Sequence, residues 1–396
     1  MTRSGVEQLD DAFAQDPYPV YERLRAAGPV SRAMMPGGQP VWVITSYPAA
    51  RAALADPRLV KDWRQLFGQG GGDQGGFAAL DAHMLNTDPP DHTRLRRLVS
   101  QAFTARRVSG LRPRVTEITT GLLDAMAGER EVDLLATFAF PLPITVICEL
   151  LGIPGHDRDD FRAWTQAILS PDETTDSPDR AAAAMTSYFT ALMANKRAHP
   201  ADDLLSALIA AHDDGDRLSE PELLGMMFLL LVAGHETTVN LIGSGTLALL
   251  TSPGELARLR ADPSLRPGAV EELLRYTSPV NHATFRFTAE PVELGGTRIP
   301  AREPVLVAIG SANRDPDRYP APDRLDLGRD AGGSLAFGHG IHYCLGAPLA
   351  RMEGEIALGG LLERFPDITL AVPAETLRWR SSTLIRGLQT LPVRLG

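Results

Sequence analysis

The segment Phe337–Gly346, F-G-H-G-I-H-Y-C-L-G, is the densest gathering of reactive side chains in the chain. Gly338, Gly340 and Gly346 surround Cys344, and A-P-L-A-R-M-E-G-E-I-A then reads as a helix. A cysteine at the mouth of a helix receives amide N–H groups and the positive end of the helix dipole, which favours a thiolate able to bind metal. By spacing alone, His339, His342 and Cys344 also suit three zinc ligands, and Cys344 suits a nucleophile served by a distant histidine. A plain buried cysteine in a glycine-rich turn fits the same letters. The second gathering is His235-Glu236-Thr237-Thr238, set inside a long apolar stretch. An acid and hydroxyls in a core helix cost free energy unless they are paired or face a cavity. They therefore read either as a satisfied internal network or as the lining of a site.

These groups must be positioned by larger elements. Ser219-Glu-Pro-Glu222 is a capping box with proline in the first turn, and the next breaker is Pro253-Gly254. The interval predicts a helix of about 33 residues, ~50 Å long, crossing the middle of the molecule. Its uncharged run, Leu223–Gly234, is twelve residues, short of the ~20 that span a membrane. A helix from Asp16 to Ala27 ends at Gly28-Pro29, and Gln39–Thr45 with Gly37-Gly38 reads as part of a hairpin. Helical patterns dominate from Thr93 to Tyr276, with breaks at Gly110, Gly152, Ser170-Pro and Pro200. Strand-like pieces follow at Ala283–Phe287, Val292–Ile299, Val305–Ile309 and near Leu377–Val393. The expected class is mainly α, one large domain over 1–396 with a small β region, and without the alternation of a doubly wound sheet. Phe67–Phe77, with six glycines in eleven positions, and Ser170–Asp179 read as surface loops or as lids over an access path.

Composition narrows the class. With 396 residues, 44% hydrophobic and 22% charged, the chain can build a large core. A net charge of −10 argues against binding nucleic acid or an anionic membrane over the whole surface. Two cysteines make no disulfide framework, and Cys148, in P-I-T-V-I-C-E-L-L, reads as core. No apolar segment follows the amino-terminal charge, so no secretory signal is visible and the cytoplasm is the expected compartment.

Phe337, Gly340, Cys344 and Gly346 resemble the haem-binding signature of the cytochrome P-450 family, F-x-x-G-x-x-x-C-x-G. Other motifs occur in that family's order. Ala233-Gly-His-Glu-Thr-Thr238 is similar to the oxygen-activating motif of its central helix, and Glu272-Leu-Leu-Arg275 to its E-x-x-R. Pro322-Asp-Arg324 is similar to its meander, with Leu325 where an aromatic is usual. The resemblance runs from Asp16 to the carboxyl end and is especially close to actinobacterial macrolide and polyketide hydroxylases, in T-D-P-P-D-H-T-R-L-R-R-L and L-L-V-A-G-H-E-T-T-V-N-L-I among others.

The resemblance implies haem b, with the Cys344 thiolate as axial iron ligand. Phe337 would pack beside the ligand loop, with Gly338 and Gly346 letting its backbone approach the porphyrin. It makes His92, Arg96, Arg286 and His342 partners of the haem propionates, His92 and Arg96 lying at i, i+4 on one helix face. Glu272 and Arg275 become a buried structural pair joined by Arg324. Thr237 would hold a water on the distal side while Glu236 relays protons from solvent, and the helix is expected to bend or widen at Ala233-Gly234. The implied activity is hydroxylation or epoxidation of a hydrophobic natural product, a macrolide or other polyketide, by dioxygen. A peroxide-driven oxygenase and a non-enzymatic haem or metal-binding protein are the alternatives. The chain ends without a flavin or iron–sulfur domain, so ferredoxin and ferredoxin reductase are the expected electron donors. Seven arginines and no acid lie between His92 and Thr116, at 94, 96, 97, 106, 107, 112 and 114, a candidate patch for an acidic ferredoxin. Asp172, Glu173, Asp176 and Asp179 could meet an amino sugar or simply solvate a loop.

Overall fold

The structure is a computed structural model in which residues 6–68, 80–169, 177–213 and 216–396 are described. The glycine-rich run from 69 to 77 and the acidic residues 172, 173 and 176 lie outside the described residues. Twelve helices of seven or more residues are present among the described ones: α1 (Tyr18–Ala27), α2 (Tyr47–Ala55), α3 (Asp91–Ala102), α4 (Arg112–Met126), α5 (Pro141–Leu151), α6 (Arg158–Leu169), α7 (Pro178–Ala198), α8 (Leu204–Ala210), α9 (Glu220–Leu250), α10 (Pro253–Ala261), α11 (Arg266–Thr277) and α12 (Ala347–Arg364).

The axis of the fold is α9, 31 residues long. Its start is the expected capping box: the Ser219 backbone N–H donates to Glu222 Oε2 at 2.8 Å. It packs against α5, α11 and α12 and is buried on nearly every side. Gly234 is explained by this packing. A Cβ there would lie 2.8 Å from Ile147 of α5, so glycine lets the two helices approach. The expected widening at Ala233-Gly234 is not seen; the segment is α-helical throughout. Among the described residues α9 alone is long and apolar enough to cross a membrane, and 67% of its most apolar stretch is buried inside the protein, as befits a core helix. Cys148 lies fully buried in the same core, where burial pushes its thiol up to about 12.

The larger sheet has six short strands in the order Glu7–Gln8, Val30–Met34, Pro40–Ile44, Pro304–Val307, Arg286–Thr288 and Leu59–Val60. The hairpin foreseen at Gly37-Gly38 is its Val30–Met34 and Pro40–Ile44 pair. The last two strands are antiparallel, with Leu59 opposite Thr288 and Val60 opposite Phe287. Continued by one residue, that register sets Lys61 beside Arg286. The segment 377–393 is mostly irregular; only Pro392–Arg394 forms a strand, pairing with Glu131–Asp133 and Thr369–Leu370.

The ion pair at the base of α11 is completed differently from expectation. Arg275 and Glu272 are fully buried and joined twice, at 2.7 and 2.8 Å. Arg275 Nη1 also donates to the carbonyls of Asn313 and Pro322, both at 2.9 Å. The third member is Arg329, whose Nε donates to Glu272 Oε1 at 3.1 Å. Arg324 instead reaches Asp326 in solvent, its side chain 72% exposed. A carboxylate taken this far from water needs all its lone pairs met, and Arg329 with the Asp326 amide meets them. Leu325 is buried in the main core, filling its position without an aromatic ring.

Candidate functional site

The Cys344 loop is held by its own backbone. The Cys344 amide donates to the Phe337 carbonyl at 2.9 Å, the Tyr343 amide to Gly340 at 3.1 Å, and the Gly338 amide to Leu335 at 2.8 Å. Gly338 and Gly340 have φ of 73° and 74°, a conformation L side chains rarely adopt. A Cβ on Gly340 would also lie 2.9 Å from the Leu54 carbonyl oxygen of α2. The Phe337 ring lies under the Arg351 guanidinium at 4.5 Å. Gly346 caps α12, and the amides of Gly346 and Ala347 hydrogen-bond the Cys344 sulfur. Burial raises the thiol above its ordinary range, outweighing those amides and the nearby Arg96 and Arg351. The helix mouth therefore does not by itself make a thiolate; a bound cation at sulfur would. Cys344 is nonetheless solvent-accessible. Among the described residues no group of three His, Cys, Asp or Glu side chains could hold a metal, which removes the zinc arrangement of His339, His342 and Cys344.

Four of the expected residues converge beside this loop. His92 is buried on α3, and its ring centroid lies 4.3 Å from that of His342. One turn on, Arg96 Nη2 donates to the Tyr343 carbonyl at 2.6 Å. Arg286 is buried in its strand, where its Nη1 donates to the Leu59 carbonyl at 3.3 Å. Both ring nitrogens of His92, Nε2 of His342 and Nε of Arg286 are buried without a hydrogen-bond partner. Burial and the surrounding Arg286, His92, Lys61 and Arg96 push the His342 imidazole down to about 2, while burial lowers Arg286 to about 10. The carboxylate acting on Arg286, Asp88, is already held by the backbone amides of Lys61 and Asp62 at 2.9–3.0 Å. Buried donors left unpaired are expensive, and a cluster of them with net positive charge fits a group carrying anionic arms. A thiol donor at one end and unpartnered buried donors with two arginines at the other match an iron porphyrin with two propionates.

The long helix presents two different faces here. Ala233 is exposed and Thr237, one turn later, is half-buried, on a helix otherwise packed all round. The Thr237 hydroxyl donates to the Ala233 carbonyl at 3.1 Å. Glu236 points elsewhere. It is buried, ion-paired with Arg380, and its Oε2 lies 3.7 Å from His235 Nε2. The acid and hydroxyl are thus neighbours in sequence with no hydrogen bond between them. Glu236 faces a cavity of about 480 Å³ that also touches Arg162 and Gln389.

Sequence reasoning missed three of these groups. Lys61 is buried opposite Arg286, its Nζ bonded to the Thr284 hydroxyl and to the Phe285 carbonyl at 2.8 Å, and burial holds its ammonium well below the usual range. Its rarity, one of two lysines in the chain, was the available signal. Arg380 comes from the irregular carboxyl-terminal segment, 144 positions from Glu236, and nothing local marks it. Glu353, nine residues after Cys344 on α12, is buried with neither oxygen hydrogen-bonded. The arginine patch is more neutralised than its sequence implies. Arg94 pairs with Glu222, Arg107 with Asp202, Arg112 with Glu355, and Arg114 with Glu117 and Glu149. Arg106 is exposed and has no ion pair among the described residues. Of the acidic run proposed for an amino sugar, only Asp179 is described, in the first turn of α7.

Residues 265–373 match the cytochrome P450 family. Over its full length the chain is 56% identical to cytochrome P450 107B1 of Saccharopolyspora erythraea, covering all of both chains. It is 54% identical to cytochrome P450 monooxygenase PikC of Streptomyces venezuelae over 98% of this chain and 92% of that one. The tirandamycin C-bound P450 monooxygenase TamI superposes with a TM-score of 0.91 at 53% identity, over 98% of this chain and 100% of that one. These relatives overturn the alternative of a non-enzymatic haem or metal-binding protein. With a relative this similar across its whole length, the chain belongs to the cytochrome P450 family and is a monooxygenase.

Proposed function

We propose that the enzyme hydroxylates or epoxidises a hydrophobic natural product, a macrolide or other polyketide, using haem b, dioxygen and electrons from a ferredoxin reduced by ferredoxin reductase. The observation that carries this reading is the cluster of unpartnered buried donors at His92, Arg286 and His342 beside the Cys344 loop. The family's haem iron, when bound, supplies dioxygen activation. The names of the relatives support the substrate class: one is a 6-deoxyerythronolide B hydroxylase and another a mycinamicin IV hydroxylase/epoxidase.

Each residue then has a physical task. Cys344 would ligate the metal while the Gly346 and Ala347 amides share the charge on its sulfur. His92, Arg96, Arg286 and His342 would hold the propionates, the two arginines supplying the positive charge and the histidines hydrogen bonds. Thr237 would hold a water by exchanging its intrahelical bond to Ala233. Glu236 passes protons inward from the cavity when it is released from Arg380. Overall, one oxygen atom enters a C–H or C=C bond and the other leaves as water, consuming two electrons and two protons. Glu236 with Thr237 favours this reductive route over a peroxide-driven one.

A ferredoxin is proposed to dock beside the cysteine loop, where Ile341 and Tyr343 are 48% and 40% exposed and Arg96 and Arg351 touch Tyr343. The whole chain, 1–396, is read as one monooxygenase domain working in the cytoplasm. The test is turnover with a ferredoxin, its reductase and a macrolactone panel. Wild type should give a product one oxygen heavier, and Thr237→Ala should form less product per electron consumed. Unchanged coupling in Thr237→Ala would remove the role given to its hydroxyl.

A further inference from the structure

Lys61 and Arg286 are two basic side chains buried on one face of a strand pair. Val60 lies opposite Phe287, so the next pair of that antiparallel register is Lys61 with Arg286. Each is 5% exposed. Like charges directly opposite one another repel, and burial strengthens the repulsion. Among the described residues no carboxylate bonds either side chain. Asp88 is taken up by the backbone amides of Lys61 and Asp62 at 2.9–3.0 Å. Asp81 is taken up by the Asn86 side chain and lies 3.7 Å from Arg64. Lys61 Nζ instead donates to the Thr284 hydroxyl and, at 2.8 Å, to the Phe285 carbonyl, the two residues that lead into Arg286. Two acceptors leave one of an ammonium's three N–H donors unused. Arg286 Nε is likewise buried without a partner. Lys61 also acts on the residue before the cysteine loop's end: it adds to burial, Arg286 and His92 in keeping the His342 imidazole neutral.

We propose that Lys61 is a further haem-binding residue, donating with Arg286 to one propionate, and that its charge makes the bound haem easier to reduce. This rests on the haem-thiolate reading above and adds to it a residue that tunes electron uptake. A carboxylate set between the two side chains relieves their repulsion and meets both unused donors. Burial and Arg286 oppose the charge on Lys61, whereas Asp88 and Asp81 support it. A further anion beside the nitrogen favours the ammonium over the amine. Reduction adds one negative charge at the metal, so a buried cation held nearby favours the reduced form.

The test uses the haem-loaded full chain with two readouts, the midpoint potential by spectroelectrochemistry and the rate of haem transfer to apomyoglobin. Lys61→Gln keeps a donor for the Phe285 carbonyl and removes the charge. It should disfavour the reduced form about tenfold, ~59 mV for one electron, and should release haem several-fold faster. Lys61→Met carries the same prediction should Lys61→Gln not load haem. Lys61→Arg should return both readouts toward wild type. Thr284→Val removes a partner of the ammonium and keeps its charge, so its potential should stay near that of wild type. An unchanged potential on loss of the lysine charge would overturn the proposal. So would a potential that moves as far in Thr284→Val, because Lys61 would then be only a clamp between strands. The carbon monoxide spectrum of each sample separates the two levels of inference: a thiolate band with an unmoved potential removes the role of Lys61 alone, and absence of the band in haem-loaded wild type removes the reading on which it rests.

Discussion

Replacing Glu353 by glutamine should stabilise the protein, and by an amount that grows with pH. Glu353 is 1% exposed on α12, and burial holds its carboxyl well above the usual carboxylate range. The Thr238 hydroxyl, its polar neighbour, pulls the other way but makes no hydrogen bond of good geometry, since both carboxyl oxygens are unpartnered. The folded chain therefore keeps a proton that the unfolded chain releases above about 4.5. Folding stability then falls as pH rises from that value toward the raised folded one, by about 1.4 kcal/mol per pH unit. Each pH unit within that interval is a noticeable share of a typical ~5–15 kcal/mol total. Glutamine occupies the same space and does not titrate, so the loss disappears. Urea unfolding of haem-loaded wild type and Glu353→Gln, followed by tryptophan fluorescence at several pH values, reads the difference directly. Two stability–pH curves that stay parallel would refute the reasoning, because they would mean that Glu353 titrates alike in both states.

Two further outcomes follow from other groups. His282 is fully buried, with Nδ1 2.7 Å from the Thr383 carbonyl and Nε2 3.2 Å from the Tyr21 hydroxyl, and burial lowers it to about 4. The unfolded chain takes up a proton near pH 6.5 that the folded chain refuses, so stability should drop by about 1.4 kcal/mol per unit between pH 6.5 and 4. His282→Gln should flatten that acid limb in urea titrations, and a limb of unchanged slope would exclude the assignment. On the docking face, Arg106→Glu should slow reduction by an acidic ferredoxin several-fold at low salt, with the difference shrinking as salt is raised. Arg112→Glu should do less than Arg106→Glu, because Glu355 already balances Arg112. Stopped-flow reduction across a salt series measures both, and equal rates for all three proteins would leave the patch without a role.

The legibility of this molecule depended on whether a signal was local. The Cys344 loop was readable because its glycines, its cysteine and the following helix are contiguous. The length of α9 was readable from its capping box and the distant Pro253. His92 and Arg96 could be paired because helical spacing puts them on one face, and the family resemblance brought Arg286 and His342 to join them. What escaped was non-local. Arg329 replaced Arg324 as the third member of the buried network because the loop path, not residue type, decides which of two arginines five positions apart reaches Glu272. Lys61 entered the cation cluster through a strand register spanning over two hundred residues. Arg380 became the partner of Glu236 through an irregular segment that carries no periodicity. Gly234, expected to mark a bend or widening, shows no widening and instead lets Ile147 pack close to the helix.

The central claim is that Cys344 and the donors at His92, Arg96, Arg286 and His342 together hold a haem with thiolate ligation. Reduction of the haem-loaded protein under carbon monoxide tests it most directly. The account predicts the strongly red-shifted Soret band of a thiolate-ligated haem in wild type and its loss in Cys344→His, with haem still bound. Retention of the band in Cys344→His, or its absence from haem-loaded wild type, would contradict the account.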